Sequence, residues 1–153
     1  MSKIIITPLG TISPYTKGNM NCPGFLVEYN SKKILLDCGN GITRLLNFPN
    51  DLKDLNVIIT HYHKDHFGDL GALQYASYVY HNLGLLDKKI NIYLPKNDIG
   101  FNKTSITSNN ESYSDYYDID NSCSFLIDDL DITFEDNNSH TIESYMVKLQ
   151  NKD

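Results

Sequence analysis

The sequence lacks any long apolar run. No stretch approaches the roughly 20 apolar residues that a helix needs to span a bilayer. The apolar run at its start is also too short for a secretory signal. From these two absences we expect a cytoplasmic protein that does not associate with membranes.

Cysteine is scarce as well. Cys22, Cys38 and Cys123 are odd in number and widely spaced, and no C-x-x-C pair occurs. The sequence therefore indicates neither a disulfide framework nor a thiolate zinc site. We expect these thiols to be buried or to take no part in chemistry.

Positive charge is sparse and dispersed. Arg44 is the single arginine, and 13 cationic residues face 19 acidic ones, which gives a formal net charge of −6. Proteins that track polyanions usually display clustered lysine and arginine, and one arginine leaves little for bidentate phosphate binding. A broad nucleic-acid-binding surface is therefore not expected.

The composition that remains is typical of one globular domain. Hydrophobic residues make up 41% of the chain and charged residues 21%, which is ordinary for a domain of this size with a buried core. We treat residues 1–153 as one domain. Residues 96–122 are polar, with weak helical spacing around residues 111–117, and we predict that they form a variable, lid-like insertion.

The hydrophobic pattern predicts an α+β arrangement. Residues 24–29 and 33–37 are short apolar runs typical of strands, joined by a tight hairpin at residues 30–31. Residues 69–81 place apolar side chains three and four apart, which predicts a helix, and residues 42–46 have helix-compatible spacing. The other predicted strands are residues 4–6, 57–60, 90–94, 124–127, 130–134 and 144–149, with a second hairpin across 128–129.

The strongest chemical signal is the segment H-Y-H-K-D-H at residues 61–66, directly after the predicted strand 57–60. Imidazole and carboxylate are ligands of zinc and similar cations. On an extended backbone, His61, His63 and Asp65 project to one side because the side-chain period is two. The alternative is that these histidines are solvated loop residues, which the flanking strand and helix make the weaker interpretation.

His66 points away from the other three on the same extended backbone unless the loop bends. It would then serve a second ion beside the first rather than crowd the first, so the segment predicts two adjacent metal ions.

His140 is a further ligand candidate, because it lies in a loop between two predicted strands that could deliver a third imidazole. Three histidines and one water leave an open position on zinc, and such an ion lowers the pKa of its water to about 7. Hydrolysis by hydroxide is therefore the natural reaction. His81 lies on the predicted helix with no partner nearby in sequence, and we do not expect it at the site.

Three blocks of the chain together resemble the metallo-β-lactamase-fold hydrolases. They are L-L-D-C-G at residues 35–39, the segment at residues 61–66, and H-T-I-E-S-Y at residues 140–145, in the family's order. L-G-T at residues 9–11 and the last block are most similar to the ribonuclease Z-like branch. The resemblance implies an αββα sandwich with a mixed sheet and helices on one face.

The same resemblance implies roles for individual residues. His61, His63 and His140 would hold the first metal, and Asp65 and His66 the second. Asp65 would also be the catalytic carboxylate. One further acid, Asp37, would orient ligands rather than bind metal. The ions would be zinc, with manganese or iron as alternatives, since the same ligands serve all three.

The resemblance covers the first half of the family's two-part fold and the start of the second half. The missing part normally supplies an aspartate that bridges both metals and a late histidine. We therefore expect an incomplete sandwich, a weakly held second ion and exposed apolar surface. Self-association, or a partner that covers the missing half, would follow.

Phosphodiester cleavage of a small-molecule, nucleotide or RNA substrate is the function we predict first. Thioester or lactone hydrolysis by the same fold is the alternative, and Glu143 stands where the ribonuclease Z-like branch often has proline. A non-catalytic metal-binding fragment that assembles with another chain is the second alternative. Flavodiiron-type proteins carry an acid at the position of His63, and true β-lactamases are secreted, so both are disfavoured.

Overall fold

A computed structural model describes residues 3–96 and 112–151 of the chain. A six-stranded main sheet runs in the order β1-β2-β3-β4-β5-β6. The first two pairings are antiparallel and the remaining three are parallel. Its strands are β1 (Ile4–Gly10), β2 (Gly24–Tyr29), β3 (Lys32–Leu36), β4 (Leu55–Ile58), β5 (Ile90–Pro95) and β6 (Ser114–Ile119).

A smaller antiparallel sheet packs on one face of the main sheet. It contains β7 (Ser124–Ile127), β8 (Leu130–Asp136) and β9 (Tyr145–Asn151) in that order. The core between the sheets combines inward side chains of both, including Ile34, Ile58, Ile132 and Phe134. Alternation along each strand separates these residues from those of the opposite face.

Helix α2 (Leu70–Asn82) covers the other face of the main sheet. Its fully buried Leu70 and Leu73 pack with Leu35 and Val57, which are the neighbours of the inter-sheet residues along β3 and β4. Burial on both faces explains why the carboxyl-terminal halves of these parallel strands, residues 34–36 and 57–58, are entirely apolar. Within the described residues the layers are thus helix, main sheet and small sheet, with the helices on one face as predicted.

The carboxyl ends of β3 and β4 lie at the same edge of the main sheet because these strands are parallel. Asp37 follows β3, and residues 59–63 follow β4 before the short helix α1 (Lys64–Phe67) begins. Open sheets with parallel strands place their ligand sites at this edge. The local fold therefore brings two of the predicted sequence blocks together.

Two local predictions need correction. Residues 42–46 do not form an α-helix, since only a 3₁₀ turn at Thr43–Leu45 is present, and Asp69 accepts bonds from the backbone and side chain of Thr43. The weak helical spacing around residues 111–117 was also misleading. Ser114–Ile119 is strand β6, paired with β5 along its whole length. Residues 97–111 of the predicted insertion lie outside the described residues.

Within residues 3–96 and 112–151, none of the helices combines the length and the apolar character needed to cross a bilayer.

Candidate metal centre

The candidate centre lies where the two sheets meet. His61 forms an isolated antiparallel bridge with Ser144, and the backbone N–H of Tyr145 donates to the carbonyl of Thr60 at 3.1 Å. The residues that follow β4 are thus hydrogen-bonded to the start of β9. This contact brings the loop that precedes β9, with His140, beside the histidines that follow β4.

His61, His63 and His140 form a cluster that we call the histidine triad. One ring nitrogen from each lies within 4.8 Å of the other two. The ring centroids of His140 are 4.4 Å from His61 and 4.9 Å from His63. Nitrogens bound tetrahedrally at about 2.0–2.1 Å from one zinc lie roughly 3.4 Å apart, so modest side-chain rotation would bring the triad onto an ion.

Two ring nitrogens of the triad are buried and have no hydrogen-bond partner. They are Nε2 of His61 and Nδ1 of His140. Buried polar atoms in folded proteins nearly always have a partner, so such a pair facing one cleft needs an explanation. A cation bound between the rings would supply one, and the donor set therefore fits a metal such as zinc.

His61 is held in the form that binds metal. Its Nδ1 lies 2.9 Å from Oγ1 of Thr60, which leaves Nε2 available for an ion. Burial, together with the neighbouring imidazoles of His66, His140 and His63, lowers the pKa of His61 to about 3. The ring is consequently neutral at physiological pH, as a ligand must be.

Asp65 and His66 form a second candidate ligand set, which we call the acid–histidine pair. Oδ2 of Asp65 lies 3.7 Å from Nε2 of His66. Two ligands that each lie about 2.1 Å from one ion are at most about 4.2 Å apart. The pair is therefore close enough to share an ion.

The backbone of this pair differs from the extended form that we assumed. Residues Lys64–Phe67 are helix α1, and the N–H of His66 donates to the carbonyl of His63 at 2.9 Å. The helical turn rotates His66 inward, so that its ring centroid is only 4.0 Å from that of His61. The loop therefore bends, which is the condition under which we did not expect His66 to point away from the other ligands.

Asp37 connects the candidate ligands to the main sheet. Its Oδ2 lies 2.7 Å from Nδ1 of His66, while its Oδ1 accepts from the backbone N–H of Thr60 at 2.8 Å. The residue is only 6% exposed and adopts a left-handed backbone with φ of 60°, a conformation that costs energy even for aspartate. The contacts of Asp37 are those of a residue that orients a ligand.

Opposing effects act on the two members of the pair. Burial lowers the pKa of His66, but the hydrogen bond and charge of Asp37 raise it above its ordinary value. Burial raises the pKa of Asp65, but the hydrogen bond from Ser13 and the imidazole of His66 hold it below its usual range. Asp65 is therefore ionised at neutral pH, as a metal ligand or a proton acceptor must be.

Gly39 allows the chain after β3 to lie close to residues 61–66, which we call the metal loop. A Cβ atom at this position would lie 2.1 Å from the carbonyl oxygen of Asp65 and 2.8 Å from that of Pro23. Both neighbours are backbone atoms that cannot move aside independently. Only glycine fits there without shifting the loop that carries the candidate ligands.

Ser13 and Thr60 are site residues that sequence reasoning did not identify. Oγ of Ser13 donates to Oδ2 of Asp65 at 2.6 Å, and the hydroxyl of Thr60 contacts both Asp37 and His61. Thr60 directly precedes the first histidine, which was an available signal. Nothing in the loop between β1 and β2 marks Ser13 as different from its neighbours.

An open cleft of about 460 Å³ contains the triad and the pair. Apart from histidines, Lys64 carries the one positive side-chain charge among the described residues that line it. Its Nζ lies 5.8 Å from the ring centroid of Phe67. His81, which we did not expect at the site, instead stacks on Tyr113 and contacts the carbonyl of Leu86.

Part of the chain matches a known protein family. The model of the family described as anti-Pycsar protein Apyc1 matches residues 4–100, which is more than half of the 153-residue sequence. The matched range contains residues 61–66 but ends before His140. The position of His140 in the site therefore depends on the geometry alone.

Curated relatives match a similar share of the chain. The probable metallo-hydrolase YhfI of Bacillus subtilis is 30% identical over 89 residues, which cover 58% of this chain and 36% of YhfI. Ribonuclease Z of Saccharolobus solfataricus is 36% identical over 97 residues, covering 61% of this chain and 30% of that enzyme. The aligned segments thus cover about a third of the length of these relatives.

Solved structures share the fold over nearly the whole chain. The metallo-β-lactamase-fold protein YhfI aligns with a TM-score of 0.78 at 24% identity, covering 96% of this chain and 57% of YhfI. Human tRNase Z, short form, aligns with a TM-score of 0.65 at 19% identity, covering 96% and 64%. The predicted metallo-β-lactamase fold, present as its first part, is confirmed.

Proposed function

Because the chain belongs to the family of the anti-Pycsar protein Apyc1, we propose that it carries the metal-binding part of a metal-dependent hydrolase that cleaves phosphodiesters. The observation that carries the proposal is the pair of buried, unpartnered nitrogens on His61 and His140, at a point where a third imidazole converges. Such an arrangement fits a cation better than it fits a solvated loop or an apolar core.

The candidate site residues would have separate roles in binding metal, orienting ligands and accepting a proton. The triad would hold one ion, and Asp65 and His66 would hold the second, with Asp37 orienting His66. An ion with an open coordination position supplies hydroxide at neutral pH by lowering the pKa of water. Asp65, ionised and lining the cleft, is the carboxylate available to accept a proton from the attacking water.

Lys64 favours a charged substrate over a neutral one. It lines the cleft next to two candidate ligands, and an ammonium group attracts a phosphodiester but gains little from a thioester or lactone. The similarity to ribonuclease Z supports the same choice. A nucleotide or RNA phosphodiester is the substrate class we propose, with zinc as the first metal and manganese or iron as alternatives.

The active hydrolase would contain further protein that packs on the described residues. Apolar side chains are exposed on both sheets, among them Ile6 of β1 at 55% and Met146 of β9 at 52%. Exposed apolar surface of this kind commonly marks an interface. We propose that a further segment or a second chain covers it, and that the cytoplasm is where the assembly acts.

Hydrolysis of bis(p-nitrophenyl) phosphate by the zinc- or manganese-loaded chain tests the proposal. We expect turnover that is lost in His61→Ala and kept in His81→Ala. Turnover of p-nitrophenyl acetate without any phosphodiester cleavage would favour the ester hydrolase instead. Metal binding without turnover of either compound, at any protein concentration, would favour a non-catalytic fragment.

A further inference from the structure

Ser13 reaches the candidate centre from the loop between β1 and β2. Its Oγ donates to Oδ2 of Asp65 at 2.6 Å, across 52 positions of the sequence. We propose that Ser13 is a positioning residue for the second metal ion. It holds the carboxylate of Asp65 in the orientation that lets Asp65 and His66 bind one ion together.

The geometry of a single oxygen carries this proposal. The Asp65 oxygen that accepts from Ser13 is also the one that lies 3.7 Å from Nε2 of His66. A carboxylate offers two oxygens with about four lone-pair sites, so the bond from Ser13 leaves room for an ion. The hydroxyl thus fixes the carboxylate without consuming it as a ligand.

The two members of the pair are then held in parallel ways. Asp37 holds His66 through Nδ1 at 2.7 Å and leaves Nε2 free. Ser13 does the equivalent for Asp65, through a hydrogen bond to an ionised acceptor, which is among the stronger kinds. Partners of this type fix a ligand's orientation, and their loss commonly costs 10- to 100-fold in metal affinity.

The loop that carries Ser13 is fastened on both sides of it. The N–H of Ile12 donates to the carbonyl of Asn21 at 3.0 Å, and the N–H of Cys22 donates to the carbonyl of Asn40 at 3.0 Å. Pro14, the next residue, lines the cleft as Ser13 does. The contact with Asp65 is therefore part of a fixed approach of this loop to the centre.

The proposal rests on the metal binding contained in the proposed function, but not on hydrolysis. A serine hydroxyl does not titrate near neutral pH and is not expected to ligate the ion here. Removal of the hydroxyl should weaken binding of the second ion and leave the affinity of the triad for its ion unchanged. A variant that only destabilised the fold would lower the affinity for both ions.

Titration calorimetry with Co²⁺, paired with the cobalt absorption spectrum, tests this division in the full chain. We expect Ser13→Ala to weaken the second binding step about tenfold or more and to leave the first within about twofold. Ser13→Thr, which keeps the hydroxyl, should restore the second step. Thr16→Ala removes an exposed hydroxyl from the same loop and should match the unsubstituted protein.

Three results would overturn the proposal. They are unchanged affinity for both ions in Ser13→Ala, an equal loss at both steps, and uptake of only one ion by the unsubstituted chain. Phosphodiester turnover measured on the same samples separates this proposal from the proposed function. A selective loss of the second ion in a protein that cleaves no phosphodiester would support the role of Ser13 and refute phosphodiester hydrolysis by this chain alone.

Discussion

The two candidate ligand sets differ in what holds their side chains. In the acid–histidine pair, each side chain already has a protein partner, Asp37 for His66 and Ser13 for Asp65. In the histidine triad, two buried ring nitrogens have none. The pair is oriented before any ion arrives, whereas the triad is assembled from two sheets and leaves one ring nitrogen of His61 and one of His140 without a partner.

The difference implies an order of affinity. Three imidazoles can hold zinc with water as the fourth ligand, and the unpartnered nitrogens give up no hydrogen bond when they bind. The pair offers two protein ligands from the described residues, and its orientation depends on residues outside the metal loop. We therefore expect the triad to bind the first ion and the pair to bind a weaker second one.

Removal of a triad ligand should have the largest effect. We expect His61→Ala to weaken the first ion by about a hundredfold or more, because one of three protein ligands is lost from a site worth roughly 10 kcal/mol or more. Competition with a chromophoric chelator measures this affinity. His81→Ala, a histidine outside the cleft, is the control, and equal affinity in the two variants would contradict the assignment.

Asp37→Asn should affect the acid–histidine pair rather than the histidine triad. Asp37 accepts from the backbone N–H of Thr60 with one oxygen and from His66 with the other, whereas asparagine has a single acceptor oxygen, so one of these donors would face an amide NH2. We therefore expect the second ion to bind 10- to 100-fold more weakly, with the first ion affected much less. Because Asp37 is buried, thermal unfolding should also show that the free energy of unfolding falls by about 1–3 kcal/mol. Asp115→Asn, in an exposed ion pair with Lys89, is the control. A loss confined to the first ion would reverse our division of the two sets.

Lys64→Ala tests a residue of the cleft that belongs to neither ligand set. We expect KM for bis(p-nitrophenyl) phosphate to rise several-fold while binding of both ions stays unchanged, since Lys64 lines the cleft but is not a ligand. Turnover of a neutral ester should not respond. If the neutral ester loses as much as the phosphodiester, Lys64 does not select for charge.

Chelation should have the smallest effect on the fold. Both cores are built from apolar residues of the sheets and α2, and neither depends on the ligand side chains. We expect far-ultraviolet circular dichroism to keep nearly all of its signal after treatment with a chelator. Melting of the secondary structure would instead make the metal a structural element.

Local patterns were enough to predict most of the fold. The hairpin of β2 and β3, the hairpin of β7 and β8, and helix α2 follow from short apolar runs, turn residues and helical spacing. β6 was missed because its sequence, S-D-Y-Y-D-I, is polar for a strand. Its place in the sheet is fixed by pairing with β5, which is a tertiary contact that no local pattern reveals.

The candidate site shows the same boundary between local and tertiary information. His61 and His63 could be proposed from spacing alone, whereas the inward turn of His66 depends on α1 and on Asp37. His140 was proposed from its flanking strands and the family resemblance, and its approach to the cleft depends on the bridge between His61 and Ser144. Ser13 required the folded structure, because its only distinguishing feature is the contact with Asp65.

The most direct test is anomalous X-ray diffraction at the zinc edge, from crystals of the chain loaded with one equivalent of zinc. We expect a single strong peak bonded to His61, His63 and His140, with Nε2 of His61 and Nδ1 of His140 as ligand atoms. A peak between Asp65 and His66 with the triad empty, or equal peaks at both positions, would contradict this expectation.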